Sequence, residues 1–268
     1  MSNTEPVHFF DITSTLPGAY KSWSPNTLKV RTVLNFKKIP YTQSWISYPD
    51  IAPLIKGFGL KANDVGYAYT LPAITHGSLI STSNPHGALM DSLPIVEHLD
   101  RVFPDRPLFP SGDASYALFL AVQKLISGLG PAIGSLIIPT VPNHLDPRGQ
   151  EYFVRTRTET YGKPLAEVRA EGERQIAEIW ESAEKSCEPL IKMLKGREGK
   201  KGAFFEGETA GYADLFFVSW VAFFHRFDRQ FWEKLMGLGD GEFRALWDAC
   251  LPWLEGQGEE KDWPIPSA

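Results

Sequence analysis

Cysteine is scarce in this sequence, and its histidines are scattered. The 268 residues include two cysteines, Cys187 and Cys250, which cannot form the disulfide framework of a secreted protein of this length. The six histidines form no spaced pair with the cysteines or with one another, so no zinc or di-metal site is predicted. No Asn-x-Ser/Thr acceptor for N-glycans occurs either. These absences favour a reducing, cytoplasmic compartment and a protein without a metal centre.

An excess of positive charge and long hydrophobic runs are also missing. Lys and Arg total 27 against 32 Asp and Glu, a net charge of −5, which offers no positive field for nucleic acid. The nearest approach to a membrane-spanning segment, residues 125–143, is uncharged but interrupted by glycines and prolines, so we interpret it as buried helix and loop. Residues 1–5 carry neither the basic nor the apolar part of a signal peptide. Neither nucleic acid nor a membrane is an expected partner.

The residues that are present predict two globular domains, because the chain is nearly twice as long as a usual domain of ~150 residues. The first hundred residues are expected to form strand 7–12, helix 26–36, strand 41–46, an irregular stretch 49–68, strands 72–75 and 88–90, and helix 92–102. This order, β-α-β and then β-β-α, is typical of an α/β thioredoxin-like domain. We place that domain at residues 1–103.

The remainder of the chain has helical patterns and no convincing strand pair. A proline-rich linker at residues 104–112 is followed by a predicted all-α domain at 113–268. Its helices are expected at about 114–129, 147–161, 163–194 with a kink near Pro189, 212–224 and 230–238. Both cysteines fall in this domain, so sulfur chemistry in the thioredoxin-like domain requires a thiol that belongs to a ligand.

The start of the first helix is a candidate site for such a thiol. Ser24, in the run Ser24–Arg31 (SPNTLKVR), is by default an N-cap, but its hydroxyl can also donate to an anion above the helix. Ionising a thiol of pKa ~8.5 at pH 7 needs roughly 2.7 kcal/mol. A hydrogen bond to a charged group supplies ~1.5–3 kcal/mol and the helix dipole ~0.3–1, so no protein base is required. Ser22 and Ser14 are the alternatives nearby.

Two further segments can bind an extended peptide. Leu71-Pro72 precedes the third strand; the proline is an ordinary strand start by default, but a cis bond would leave the Leu71 amide and carbonyl free to pair with a ligand. Asp91-Ser92 precedes a helix and is a cap by default. It can equally receive the amino and carboxylate ends of a ligand.

Taken in order, these three segments resemble those of a glutathione transferase, over the whole N-terminal domain. The resemblance implies glutathione as cosubstrate, with Ser24 as the thiolate partner and Leu71, Pro72, Asp91 and Ser92 as the residues that bind the tripeptide. It also implies that the helical domain contributes a hydrophobic substrate site and that the protein is a homodimer.

Longer stretches resemble the fungal etherase-related (FuA) serine-type class, which is akin to bacterial lignin β-etherases. They are residues 34–41, 48–51, 152–157 and 161–165. This class implies aromatic or lignin- and wood-derived electrophiles, polyphenol binding and cytosolic detoxification. Candidate substrate-binding residues are Tyr20, Trp23 and Phe153, although aromatic side chains on helices more often belong to a core. There are two alternatives to an enzyme: a non-catalytic carrier of small aromatic molecules and an inactive scaffold.

Two positions depart from the family pattern. Tau-class enzymes carry a lysine for the glycine carboxylate of glutathione where this sequence has Ile51, so Lys56 and Lys61 are alternative candidates for that contact. In the helical domain, Gly211 stands where the family has the Ser or Thr cap of an S/T-x-A-D box that ends in Asp214. Because the carboxylate can still accept from the Gly211 amide, we interpret Asp214 as structural.

Overall fold

The computed structural model describes residues 6–266, with the backbone alone for residues 131 and 132. It contains one mixed sheet of five strands. The strands are β1 (Val7–Ile12), β2 (Tyr41–Ile46), β3 (Ala73–Thr75), β4 (Ala88–Met90) and β5 (Glu259–Glu260), in the spatial order β4-β3-β1-β2-β5. β1 is parallel to β2 and antiparallel to β3, which is antiparallel to β4. All six residues of β1 are buried, as expected of a central strand that is covered on both faces.

Most helices follow the predicted pattern, with three corrections. The α-helices are α1 (Pro25–Phe36), α2 (Ile51–Gly57), α3 (Ser92–Val102), α4 (Asp113–Ile137), α5 (Pro147–Tyr161), α6 (Glu173–Lys195), α7 (Tyr212–Phe227), α8 (Arg229–Met236) and α9 (Glu242–Glu255). The stretch 49–68, predicted to be irregular, contains α2, and α9 was not predicted. The single helix predicted at 163–194 is a short 3-10 turn, Leu165–Val168, followed by α6.

The chain divides into two compact units whose boundaries differ from the predicted ones. Within the described residues, the first unit contains residues 6–106, 144–153 and 253–266, and the second contains residues 107–143 and 154–252. The sequence predicts that residues 144–153 and 253–266 belong to the helical domain. They join the first unit instead because they pack on its sheet and loops, as the hydrogen bond from Thr15 N–H to the His144 carbonyl shows (2.8 Å).

Residues 256–266 form a C-terminal tail that completes the sheet of the first unit. Within it, β5 pairs in parallel with β2, and the Trp263 ring centroid lies 4.6 Å from that of His8 and 5.0 Å from that of Phe10. Burial, aided by the charge of Lys261, lowers the pKa of His8 to about 4, so its imidazole is neutral at physiological pH. Two consecutive glutamates carry no strand pattern, which is why β5 was not predicted.

A buried ion pair connects β1 with α1. Arg31 Nη2 lies 2.9 Å from Asp11 Oδ2, and both side chains are fully buried. Ser22 Oγ donates to the same aspartate oxygen (2.6 Å) and accepts from Arg31 Nε (2.9 Å). Arg31 Nη1 donates to Gln43 (2.7 Å) and to Gln257 of the tail (2.9 Å). One guanidinium therefore ties the segment that leads into α1 to the sheet and to the tail.

In the described part of the chain, no single helix is long and apolar enough to cross a bilayer, although segments 113–130 and 133–144 pass that test as a pair with a 55° bend between them. Residues 1–5, for which no signal peptide was expected, lie outside the described residues.

In the second unit, Asp214 caps α7 and a neighbouring turn. Its Oδ2 accepts from Gly211 N–H (2.8 Å) and its Oδ1 from Phe205 N–H (2.8 Å). The residue is 1% exposed, and this burial raises the pKa of its carboxyl group to about 7 in spite of both donors. Because Gly211 has no side chain to cap the helix, Asp214 has the structural role predicted for it.

We therefore expect Asp214→Ala to lower the free energy of unfolding by about 2–6 kcal/mol, because two buried N–H groups lose their acceptor at ~1–3 kcal/mol each. Urea unfolding measures the change. The matched control is Asp248→Ala at an exposed position of α9, where the change should stay within about 0.5 kcal/mol. Equal losses in the two variants would contradict the capping role.

Candidate functional site

The three predicted ligand-binding segments meet at one end of the sheet. The register pairs Ala73, at the start of β3, with Phe10 of β1 and with Met90 of β4. Since β3 is antiparallel to both strands, the loop after β1, the segment before β3 and the turn after β4 lie side by side. These segments carry Ser24, Leu71-Pro72 and Asp91-Ser92.

Ser24 lies at the N-terminal end of α1 with its hydroxyl unengaged. The residue is extended (φ −66°, ψ 127°) and 5% exposed, and Pro25 begins the helix. Its carbonyl accepts from Leu28 N–H (2.9 Å), but its side chain forms no capping hydrogen bond and has no other partner among the described residues. The default capping interaction is therefore not formed, and the hydroxyl can still donate to an anion.

The two alternative serines already use their hydroxyl protons. Ser22 donates to Asp11 in the buried ion-pair network, and Ser14 donates to the Lys21 carbonyl (2.9 Å). A serine hydroxyl has one proton to donate, so neither serine retains one for a ligand. Of the three candidates, Ser24 has the hydroxyl that is best placed for a thiolate.

Leu71 presents unpaired backbone groups beside β3. The Leu71–Pro72 peptide bond is cis, as considered in the sequence analysis, and both side chains are buried. Neither the N–H nor the C=O of Leu71 forms a hydrogen bond within the described chain. An extended peptide can pair with both groups, as with an exposed sheet edge.

Asp91 sits at the turn into α3 in the left-handed region of backbone space, at φ 76° and ψ 143°. Its N–H donates to the Pro72 carbonyl (3.1 Å), and its Oδ1 accepts from Thr70 Oγ1 (2.7 Å). Ser92 is the first residue of α3 and is partly exposed. The bond from Thr70 to Asp91 is not predicted by the sequence, where the only signal is the place of Thr70 directly before Leu71-Pro72.

The residues considered for the glycine carboxylate differ in their surroundings. Ile51 is the buried first residue of α2, so it offers no charged group. Lys56 is exposed on the same helix, with its Nζ 5.3 Å from the centroid of the Tyr69 ring. Lys61 is exposed in the loop after α2. Both lysines therefore stay candidates for this contact.

Two of the three predicted substrate-binding aromatics belong to one packed cluster. The Tyr48 ring centroid lies 6.4 Å from that of Trp23 and 5.3 Å from that of Phe153. Trp23 is 4% and Phe153 2% exposed, so the core interpretation describes both better than direct ligand contact. Tyr20 is 39% exposed. Tyr48, which was not singled out, is the partly exposed member of the cluster.

Comparison with known families accounts for both units. Residues 23–102 match the family described as "Glutathione S-transferase, N-terminal domain", and residues 117–253 match "Glutathione S-transferase, C-terminal domain". The chain belongs to the glutathione S-transferase family. The predicted fold, a thioredoxin-like domain followed by a helical one, is confirmed for this family member, and the predicted cosubstrate is that of the family.

Three fungal proteins are similar to this member of the glutathione S-transferase family. The glutathione S-transferase-like protein ustS of Aspergillus flavus is 55% identical over 271 residues, covering 99% of this chain and 98% of that protein. A glutathione S-transferase of Ceriporiopsis subvermispora, CsGST63524, solved in complex with glutathione, is 31% identical with a TM-score of 0.78, covering 92% and 97% of the two chains. GSTFuA3 from Phanerochaete chrysosporium is 28% identical with a TM-score of 0.79, covering 93% and 97%. The resemblance to the FuA class is confirmed.

We expect Ser22→Ala to reduce the free energy of unfolding by about 2 kcal/mol, because the buried Asp11 and Arg31 each lose a hydrogen bond. Urea unfolding is the measurement, and the control is Ser186→Ala, which removes a hydroxyl from a partly exposed position of α6. Unchanged stability of Ser22→Ala, together with a raised pKa of the bound glutathione thiol, would transfer the thiolate role from Ser24 to Ser22.

Proposed function

We propose that this chain is a serine-type glutathione transferase in which the Ser24 hydroxyl donates to the glutathione thiolate. The observation that carries the proposal is the unengaged hydroxyl of Ser24 at the start of α1, next to two serines whose protons are already donated. The hydrogen bond and the dipole of α1 favour the anion together. No acid or base of the protein is needed to remove the proton.

The same proposal assigns the tripeptide to the neighbouring segments. The Leu71 N–H and C=O pair with the cysteinyl residue of glutathione, as two parallel backbone hydrogen bonds. Asp91 accepts from the ammonium group of the γ-glutamyl residue, and Ser92 donates to its α-carboxylate at the start of α3, where the helix dipole also favours an anion. The relative from Ceriporiopsis subvermispora, solved with glutathione, supports this ligand.

Replacement of Ser24 with Ala should lower kcat/KM about ten- to hundredfold, the effect of losing one hydrogen bond to a charged group at ~1.5–3 kcal/mol. Glutathione should still bind with nearly unchanged Kd, while ultraviolet absorbance of the bound thiolate shows a pKa raised by roughly one to two units. Ser83→Ala, in an exposed turn, is the control. An unaltered thiol pKa in Ser24→Ala would overturn the serine mechanism.

For the second substrate, we propose aromatic electrophiles, including lignin- and wood-derived ones, in cytoplasmic detoxification by a homodimer. The support is the FuA-class resemblance, which extends to GSTFuA3 and GSTFuA2 of Phanerochaete chrysosporium at 28% and 27% identity. In such a reaction the thiolate attacks an electrophilic carbon, a C–S bond forms, and a halide or a phenolate leaves with the electron pair.

A paired screen tests this substrate class. Aryl halides, alkyl halides of similar reactivity, a β-aryl ether and several polyphenols are offered with and without glutathione, while mass spectrometry follows thioethers and thermal unfolding follows binding. We expect thioether products from aromatic electrophiles at rates well above those from alkyl halides of similar reactivity. Stabilisation by polyphenols without glutathione, combined with no product from any electrophile, would favour the carrier function instead.

A further inference from the structure

Asp91 is held from two sides by the segment that precedes β3. Its backbone N–H donates to the Pro72 carbonyl (3.1 Å), and its carboxylate Oδ1 accepts from the Thr70 hydroxyl (2.7 Å). Its φ of 76° is a conformation that non-glycine residues adopt at a cost, and that persists only where neighbouring groups enforce it. The orientation of the Asp91 carboxylate is therefore set by contacts with residues 70–72.

We propose that Thr70 is a positioning residue for the γ-glutamyl end of glutathione, an inference that rests on the proposed function. Thr70 touches the carboxylate that is assigned to the ligand ammonium, and it makes this contact from the residue next to Leu71. It thereby fixes the position of the Asp91 carboxylate relative to the backbone N–H and C=O of Leu71, so that both contacts can bind one glutathione molecule.

The hydrogen-bond donors and acceptors of Thr70 and Asp91 determine which carboxylate oxygen is available to the ligand. A threonine hydroxyl has one proton to donate, whereas a carboxylate has two oxygens that accept. With one lone pair of Oδ1 already used by Thr70, Oδ2 is the oxygen that keeps both acceptor sites for the ammonium group. Without the hydroxyl, the Asp91 side chain can rotate, and binding must then include the cost of ordering it again.

Apart from its bond to Asp91, Thr70 contributes little to the fold. It lies outside the strands, is partly exposed, and its N–H donates to the sulfur of Met90 (3.4 Å), a backbone contact that side-chain substitution leaves in place. The isosteric change Thr70→Val removes the hydroxyl while keeping the shape. The natural control is Thr75→Val on β3, a partly exposed residue whose hydroxyl has no partner among the described residues.

The experiment measures glutathione affinity by calorimetry and turnover by steady-state kinetics. We expect Thr70→Val to raise the Kd and KM for glutathione about tenfold, equivalent to ~1.4 kcal/mol, with kcat nearly unchanged. Thr70→Ser, which keeps the hydroxyl, should restore wild-type values, and Thr75→Val should retain them. Thermal unfolding of each variant confirms that it is folded.

Two readouts separate positioning from a general structural effect. Cysteinylglycine lacks the γ-glutamyl residue, so its weak binding should be the same in Thr70→Val and in wild type. The pKa of the bound glutathione thiol, which depends on Ser24, should also be unchanged. In a double-mutant cycle, adding Thr70→Val to Asp91→Asn should cost almost nothing further, since Thr70 acts through Asp91.

The outcomes distinguish this inference from the function on which it rests. If Asp91→Asn weakens glutathione binding and Thr70→Val does not, the role of Thr70 is overturned while the assigned site stands. If Asp91→Asn binds glutathione like wild type, the assigned γ-glutamyl contact fails, and the role of Thr70 fails with it. If Thr70→Val weakens cysteinylglycine as much as glutathione, the effect is structural and positioning is overturned.

Discussion

The ion pair between Asp11 and Arg31 is the interaction on which the first unit depends. Both side chains are fully buried, and taking two charges out of water is costly unless hydrogen bonds satisfy them. Here the guanidinium has acceptors on β2, on the tail and in the loop before α1, and Ser22 donates to the aspartate. Because Ser22 lies two residues before Ser24, the atoms that stabilise this unit also immobilise the loop that carries the proposed thiolate partner.

Local sequence patterns were sufficient to predict the helices and strands whose boundaries are determined by their own residues. β1, β2, β4, α3 and α5 agree with prediction at both ends, since each has an apolar run or helical period flanked by clear turn or cap residues. α2 lies in a stretch whose glycines indicate irregular structure, but these glycines, Gly57, Gly59 and Gly66, lie at or beyond the end of the helix. The start of α6 was placed too early because the helical pattern runs through Gly172, whose φ of 86° ends the preceding segment.

In the candidate site too, some features could be predicted from short sequence motifs, whereas others depend on contacts between residues far apart in the chain. Ser24, Leu71 and Asp91 stand in short motifs, so sequence could suggest all three, and the sheet register accounts for their convergence. Which serine keeps a free hydroxyl could not be read from the sequence, because Ser22 is engaged by residues from β1 and α1. The hydrogen bond between Thr70 and Asp91 joins two segments that are separated in the chain by β3, β4 and their connection. Neither residue type predicts this bond from the sequence.

The pairing of β5 with β2 has a consequence for the order of folding during synthesis. Ser44 of β2 donates to the carbonyl of Lys261, which is 217 residues later in the chain, and Gln257 supplies one of the acceptors of Arg31. The ribosome therefore releases the whole helical unit before the thioredoxin-like unit acquires its edge strand. Until residues 257–261 emerge, the nascent chain carries an uncovered β2 edge, the kind of surface on which chaperones act and aggregation begins.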